Sequence, residues 1–343
     1  KTPVKCNDKF LVYIYSGITM KKLGLIILLV LSAVNTPVFS KGYEKVDRIV
    51  QNYPDSFSDP SHLARLINRD FTLPEEKARA IFTWIALNIE YDINALNTKP
   101  ERISFSYSTE EEKLFKLQKI QEDLAIRTLR RGKAVCQGYA TLFQQVSDLV
   151  SLECTIISGS SKTRKNDIGK LPQRNDHAWN AVKINGEWRL IDVTWGAGYS
   201  NGNPSKFIPA FNDYFFFTPP DKFFLNHYPE DTAWLFTDDS PEIFADLPLY
   251  YSSFKNTDIE VKEPGKGVIN TSGKSAIRIV LKNIRKETVS IKFDNEKYAV
   301  PVQPKIKNNL RIYDFDYNRR TNTYLTVFIN TVSFVTFKIE TTN

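Results

Sequence analysis

Cysteine is scarce in this chain of 343 residues: Cys6, Cys136 and Cys154 are all there are. Three widely spaced thiols exclude the disulfide framework that holds small secreted domains together. Histidine is as sparse. His62, His177 and His227 lie far from one another and from the cysteines, in no spacing that zinc ligands adopt, so neither a metal nor another cofactor is expected. Internal repeats and long low-complexity tracts are lacking, which excludes a solenoid. With 42% hydrophobic and 25% charged residues, the chain suits one large or two medium globular domains rather than a disordered tail.

Methionine occurs once, at Met20, followed by Lys21, Lys22, the apolar run "LGLIILLVLSAV" and then "NTPVFS". The small residues Val38 and Ser40 suit signal peptidase, so residues 20–40 read as a secretory signal peptide cleaved after Ser40. The apolar run stops at Asn35, short of the roughly 20 residues a membrane span needs. The mature protein is therefore expected in the periplasm, cell envelope or medium with no stable membrane anchor. Residues 1–19 read as an upstream extension outside the fold. Five Lys and one Asp lie within residues 1–40, so the formal charge of +7 falls to +3 on cleavage. A nucleic-acid partner suggested by the sequence pI of about 9.0 loses its support with them. Cys6 leaves as well.

After the leader, "YEKVDRIVQNYP" and "SHLARLINRDF" pattern as short amphipathic helices. "TLPEEKARAIFTWIALNIEYD" predicts a longer one, with a capping box at Thr72 and Glu75 and apolar positions Ala78, Ile81, Phe82, Ile85 and Ile89. Residues 92–131 are polar and only weakly amphipathic. From Cys136 the residues Tyr139, Leu142, Phe143, Val146, Leu149 and Val150 recur at helical spacing, putting Cys136 in a first turn. Strands come next, at "CTIISG", "HAWNAVKI" and "EWRLIDVTW", the last two joined by Asn185-Gly186, a hairpin signal. Residues 200–245 are aromatic and should wrap the core. The last hundred or so alternate apolar and polar, as at Val289, Ile291, Phe293 and Val335, Phe337, Ile339, which predicts a β-sandwich. The expected division is 41–245 for the first domain and 246–343 for the second.

Cys136 differs from Cys154, which sits in a β-patterned run as a small buried hydrophobe. A helix N-terminus lowers a thiol pKa through its unpaired N–H groups and positive dipole end. A base held by a third group would complete a nucleophilic triad. A symmetric loop around Asn185-Gly186 sets His177 opposite Thr194, with Asp192 on the same face as a diagonal neighbour about 7–8 Å away at Cα. Cys136, His177 and Asp192 are thus the candidate nucleophile, base and orienting carboxylate.

"GKAVCQGYA", "NDHAWNAVKINGEWRLIDVTWGAG" and "KARAIFTWIALNIEYD" resemble the transglutaminase-like domain, in the branch that includes the kyphoscoliosis peptidase and the fungal cytokinesis protein. The resemblance runs from about Asp47 to Gly198, and "YFFFTPPDKFFLNHYPEDTAWLF" is similar to the segment C-terminal to the core in that branch. It implies an α+β, papain-like fold with a helix-borne cysteine against an antiparallel sheet, succeeded here by the C-terminal all-β, sandwich-like domain. It assigns the same roles to Cys136, His177 and Asp192. The glutamine that papain-like proteases carry six residues before the cysteine is Arg130 here. Trp84 or Tyr91 could donate to an oxyanion in its place, or both could be core residues of their helix. Trp179 and Trp195 flank the triad, as lining of an acyl-donor slot or as hairpin core. His227 reads as a structural contact.

The chemistry so implied is acyl transfer through a Cys136 thioester on a protein or peptide substrate. Hydrolysis is favoured over amine cross-linking because water always competes and the sequence has no recognisable calcium-site motif. A protein-binding module that keeps the fold without catalysis is the alternative from another class.

Overall fold

The computed structural model describes residues 42–96, 106–201, 205–255, 257–272, 275–318 and 321–341. The expected leader and upstream extension lie outside the described residues. Among the described residues no helix is long and apolar enough to cross a membrane.

Three helices open the fold: α1 (Glu44–Val50), α2 (Pro60–Asp70) and α3 (Pro74–Asn88). The capping box expected at α3 does not form. The N-cap is Leu73, which has no side-chain acceptor, and Pro74 at the first helical position starts the helix instead. Proline suits that place because its fixed φ is already helical and its missing N–H would have had no partner. Every residue from Ala78 to Ala86 is buried, so α3 is a central rod rather than a one-sided amphipathic helix. Its charge is met internally. Arg79 donates from Nε and Nη2 to the two carboxylate oxygens of Asp47 on α1, both at 2.8 Å, and Thr83 adds a bond of 2.6 Å to Oδ1.

The second half of the polar stretch before the cysteine forms one 22-residue helix, α4 (Glu110–Arg131). Thr109 caps its start, and Gly132 at φ 60° ends it in the left-handed conformation that glycine adopts without strain. The chain then turns into α5 (Cys136–Leu149), whose first residue is Cys136. Gly138 lets α4 and α5 meet closely here, since a Cβ would lie 2.5 Å from Ala134 Cβ and 2.8 Å from Thr128 Oγ1.

α5 packs on an antiparallel sheet made of β1 (Cys154–Ser161), β2 (His177–Ile184), β3 (Glu187–Ile191), β4 (Phe216–Thr218) and β5 (His227–Pro229), in the order β4-β3-β2-β1-β5. Tyr139, Leu142, Phe143 and Val146 of the helix share a core with Val182, Ile184 and Ile191 of the sheet. Asn180 Nδ2 donates to Ala140 O at 3.0 Å and ties the two together. The helix-borne cysteine against an antiparallel sheet is therefore present.

The β2–β3 hairpin has the expected register, from Ile184 opposite Glu187 to Asn180 opposite Ile191, with Asn185 and Gly186 both at positive φ in the turn. Pairing stops there. The expected strand through Trp195 instead bends at Asp192 into the short helix α6 (Val193–Ala197), so Thr194 never comes opposite His177. Asp192 caps that helix, accepting from Trp195 N–H at 3.0 Å, a local bond that competes with continued strand.

Beyond residue 245 the chain forms two sheets. One, of six strands, runs β6 (Leu249–Tyr250), β15 (Val332–Thr341), β14 (Thr323–Ile329), β10 (Val289–Phe293) and β11 (Val300–Pro301), with β8 (Val268–Thr271) parallel to β15. The other, of four, runs β7 (Glu260–Glu263), β9 (Ser275–Lys282), β13 (Leu310–Tyr317) and β12 (Lys305–Lys307). Their inner faces share one core, with Ile279, Leu281 and Tyr313 against Leu325, Val327 and Phe337.

This strand-rich region is tied to the α/β core by the loop after β1, in which Arg164, Lys170 and Arg174 are exposed while Lys162 and Lys165 make the ties. Lys162 is buried, with Nζ donating to the carbonyls of Phe244, Ala245 and Leu247 at 2.5, 3.1 and 2.8 Å. Lys165 pairs with Asp294, and Tyr324 Oη donates to Asn166 Oδ1 at 2.7 Å.

Candidate active site

Three elements bring the candidate residues together: the N-terminus of α5, the first residue of β2, and the bend after β3. His177 Nε2 lies 2.7 Å from Asp192 Oδ2. That contact leaves Nδ1 free to serve the thiol, and His177 together with the Ala178 N–H acts on Cys136 Sγ from the start of β2. His177 and Asp192 are buried while Cys136 stays half-buried, so the candidate nucleophile is reachable and the candidate base is shielded from water.

The electrostatics favour charge separation. Burial alone would raise the Cys136 thiol, but the His177 hydrogen bond and charge, with the Ala178 N–H, outweigh it and hold the thiol below its ordinary value. Burial alone would lower His177, but the Asp192 carboxylate reverses this and lifts the imidazole to about 10. Asp192 resists burial in turn because His177 and His227 hold its carboxyl well below the usual range. Both shifts act in one sense, favouring a thiolate at Cys136 and an imidazolium at His177. Cys154 is the contrast: burial pushes its thiol up, and it is the inert thiol expected from the sequence.

Of the four aromatic candidates, three surround the triad. Trp195 stacks on His177 with centroids 5.4 Å apart and 29° between planes. Trp179 is buried behind it at 5.9 Å, and burial, followed by the charges of Cys136 and Asp192, raises the Tyr91 phenol. Trp84 is not in the site. Its indole N–H is used on Pro54 O at 2.9 Å and its ring packs on Phe57, which removes it as an oxyanion donor. Gly159, paired with His177 across β1 and β2, is required by this packing, because a Cβ there would meet Trp179 at 2.5 Å and Tyr228 O at 2.3 Å.

Two functional neighbours escaped the sequence reading. His227, expected as a structural contact, has its Nε2 3.0 Å from the same Asp192 Oδ2. Lys255, the last residue of α7 (Ser252–Lys255), is buried with Nζ 4.4 Å from the Trp195 ring centroid and 4.5 Å from that of Phe215. Burial pulls its amine down to about 7 against the opposing charge of Asp192. His177, Asp192 and His227 offer ligand atoms within 4.8 Å of one another, close enough together to hold a metal ion. Those atoms are engaged in the two imidazole–carboxylate hydrogen bonds, and a metal would have to displace both ring protons and sit near the Lys255 amine. A cleft of about 440 Å³ lined by Asp55, Ser56, residues 86–90, Phe207 and Pro209 borders Tyr91 but contains none of the triad.

Residues 61–193, which include Cys136, His177 and Asp192, match the family model described as the transglutaminase-like superfamily. Over 208 residues the chain is 33% identical to the kyphoscoliosis peptidase of Mus musculus, a match covering 60% of this chain and 29% of that protein. Over 184 residues it is 24% identical to cytokinesis protein 3 of Schizosaccharomyces pombe, covering 52% of this chain and 20% of the other. The chain thus spans less than a third of the length of these relatives. A solved structure described as a TGase is similar at 18% identity and a TM-score of 0.27, covering 58% of this chain and 43% of the other.

Proposed function

We propose that this protein is a thiol enzyme of acyl transfer, with Cys136 as nucleophile, His177 as general base and acid, and Asp192 as the carboxylate that orients it. The observation that carries the reading is one imidazole that lies 2.7 Å from a buried carboxylate and lowers the pKa of the half-buried thiol at the start of α5.

In the first half-reaction the Cys136 thiolate attacks the carbonyl carbon of a peptide or side-chain amide. The developing oxyanion is met by the Cys136 backbone N–H at the start of α5, where helix N–H groups lack intrahelical partners. Tyr91, whose phenol senses the charge of Cys136, is the side chain assigned to donate beside it. Collapse breaks the C–N bond, His177 Nδ1 gives its proton to the departing amine, and a thioester on Cys136 remains. In the second half-reaction His177 takes a proton from water, the hydroxide adds to the thioester, and collapse releases the acid and restores the thiolate–imidazolium pair. An amine in place of water would give cross-linking from the same intermediate. Hydrolysis is favoured because no acceptor is needed beyond solvent. Action outside the cytoplasm, on protein or peptide substrates, is part of this proposal and rests on the leader pattern at residues 20–40.

The test compares wild type with Cys136→Ala on a denatured proteome, with and without a fluorescent primary amine. New amino termini or newly acidic side chains in the wild type alone support hydrolysis. Cys136-dependent amine incorporation instead would make the protein a cross-linker. Absence of both products would overturn the enzyme reading in favour of a binding module.

A further inference from the structure

The Asp192 carboxylate has more partners than a triad requires. Oδ1 accepts from Trp195 N–H at 3.0 Å, and Oδ2 faces His177 Nε2 at 2.7 Å and His227 Nε2 at 3.0 Å. Two donors fill the lone pairs of Oδ2. His227 is 1% exposed and lies outside the residues that match the family model. Its ring is stacked on Phe223 with centroids 3.9 Å apart and 22° between planes, and Trp195 and Trp179 close in at 4.4 and 5.1 Å. It cannot reach a substrate.

We propose that His227 is a positioning residue of this site: its Nε2–H shares Asp192 Oδ2 with His177 and so fixes the direction and tempers the basicity of the carboxylate that serves His177. This rests on the thiolate–imidazolium reading of Cys136.

The choice of histidine comes from charge. The titratable groups facing His227 are Asp192, which favours a second ring proton, and His177 and Lys255, which oppose it. Burial acts first and in the same sense as those two cations, leaving the His227 imidazole at about 4. A neutral ring has one N–H to give, and two acceptors face it, the Phe223 carbonyl 3.2 Å from Nδ1 and the Asp192 carboxylate 3.0 Å from Nε2, of which the charged and nearer one takes the proton. Placed on Nε2, it orients Asp192 without cancelling its charge, whereas a buried lysine or arginine there would compete with the His177 imidazolium for the same carboxylate. Glutamine keeps a neutral N–H at similar reach. Phenylalanine keeps the stack on Phe223 and loses the donor.

Rates of Cys136 alkylation by iodoacetate, measured across pH in full-length protein, read this directly. The anionic reagent is attracted while His177 is protonated, so the wild type should give a bell whose descending limb tracks His177, near 10. In His227→Phe that limb should move up by about half a pH unit or more, because Asp192 loses a hydrogen bond of roughly 1 kcal/mol and holds the imidazolium more tightly. The peak rate should fall several-fold as the carboxylate gains freedom. His227→Gln should return the limb toward wild type. A merely structural role would reduce the folded fraction without moving the limb. A folded His227→Phe with the wild-type bell overturns the proposal while leaving the proposed function intact. Should the Phe variant not fold, His227→Asn, whose amide falls short of Asp192, takes its place against His227→Gln, and equal limbs in those two overturn it. A wild type with a single ordinary thiol titration, near 8.5, overturns the proposed function itself and this role with it.

Discussion

Replacing Asp192 by Asn changes one atom in the centre of the site and should separate charge from packing. The side chain is fully buried and accepts from Trp195 N–H, His177 Nε2 and His227 Nε2. An asparagine oxygen can keep the Trp195 bond, so the cap of α6 and the fold should survive. The amide nitrogen then faces His177 Nε2 as a donor. His177 must answer with a lone pair, which moves its single proton to Nδ1, the atom facing the thiol, and a protonated Nδ1 cannot take the proton of Cys136. The magnitude is set by the charge that Asp192 supplies. His177 stands at about 10 because the carboxylate overcomes burial; without that charge, burial should carry it to or below its ordinary 6.5. That change is on the order of 5 kcal/mol of imidazolium stabilisation, at 1.36 kcal/mol for each pH unit. At neutral pH the thiolate–imidazolium pair should fall to a small minority, and iodoacetamide labelling of Cys136 should slow by about a hundredfold or more. Labelling read by mass spectrometry across pH, with circular dichroism as the check on folding, tests both halves. A folded Asp192→Asn protein that labels at the wild-type rate with the wild-type pH dependence would refute the electrostatic account.

Four further outcomes are expected. Native wild type without residues 1–40, and so without Cys6, should take up one alkyl group, on Cys136, while Cys154 reacts only after denaturation; Cys136→Ala should take up none when native, which counting by intact mass checks. Lys162→Met should leave three backbone carbonyls without their charged donor, costing about 2–4 kcal/mol, visible as a lower urea midpoint. Lys255 titrates at about 7 in the folded protein against 10.5 unfolded, so over that interval the unfolded chain binds more protons and stability rises with pH. Lys255→Met should remove a rise on the order of 1 kcal/mol per pH unit, measured by urea titrations at several pH values. Breaking the buried Arg79–Asp47 pair with Asp47→Asn leaves a guanidinium uncompensated among Tyr43, Phe82, Phe211 and Phe216 and should cost about 3–5 kcal/mol in thermal or chemical unfolding.

The parts legible in the sequence were those whose cause is local. Period 3.6 after Cys136 gave α5, because its buried face is contiguous in sequence, and Asn185-Gly186 gave the hairpin register, because two residues at positive φ dictate the turn. Where a local rule met a competing local bond, the reading missed. Thr72 and Glu75 spell a capping box, yet Pro74 starts α3. The alternation in "EWRLIDVTW" spells a strand, yet the Asp192 side chain captures Trp195 N–H and turns the chain into α6. The parity argument nonetheless pointed to the right pair. It put His177 and Asp192 on one face, and the bend brings their side chains to 2.7 Å.

The rest of the site was illegible because nothing near it in sequence carries the reason for it. His227 meets Asp192 from 35 residues downstream, through an aromatic stretch with no period, and its purpose exists only once β5 lies beside β1. Lys255 is more remote still. It rides on α7, whose neighbours are bonded to β15: Tyr251 N–H donates to Phe334 O at 3.1 Å and Ser253 Oγ to Ser333 O at 2.5 Å. The ammonium over Trp195 is thus held by the strand-rich region, and Trp195, like Trp179, lies against both His177 and His227. A sequence pattern divides the chain near residue 245, where helices give way to alternating strands. The geometry of charge does not respect that division. A chain ending near Leu249 would keep Cys136, His177 and Asp192 but lose the cation packed on Trp195, the pairing of β6 with β15 and the seat of the Lys162 loop. Its thiol chemistry would then be that of a triad whose supporting indole has lost its cation and whose second histidine has lost one of the charges that keep it neutral.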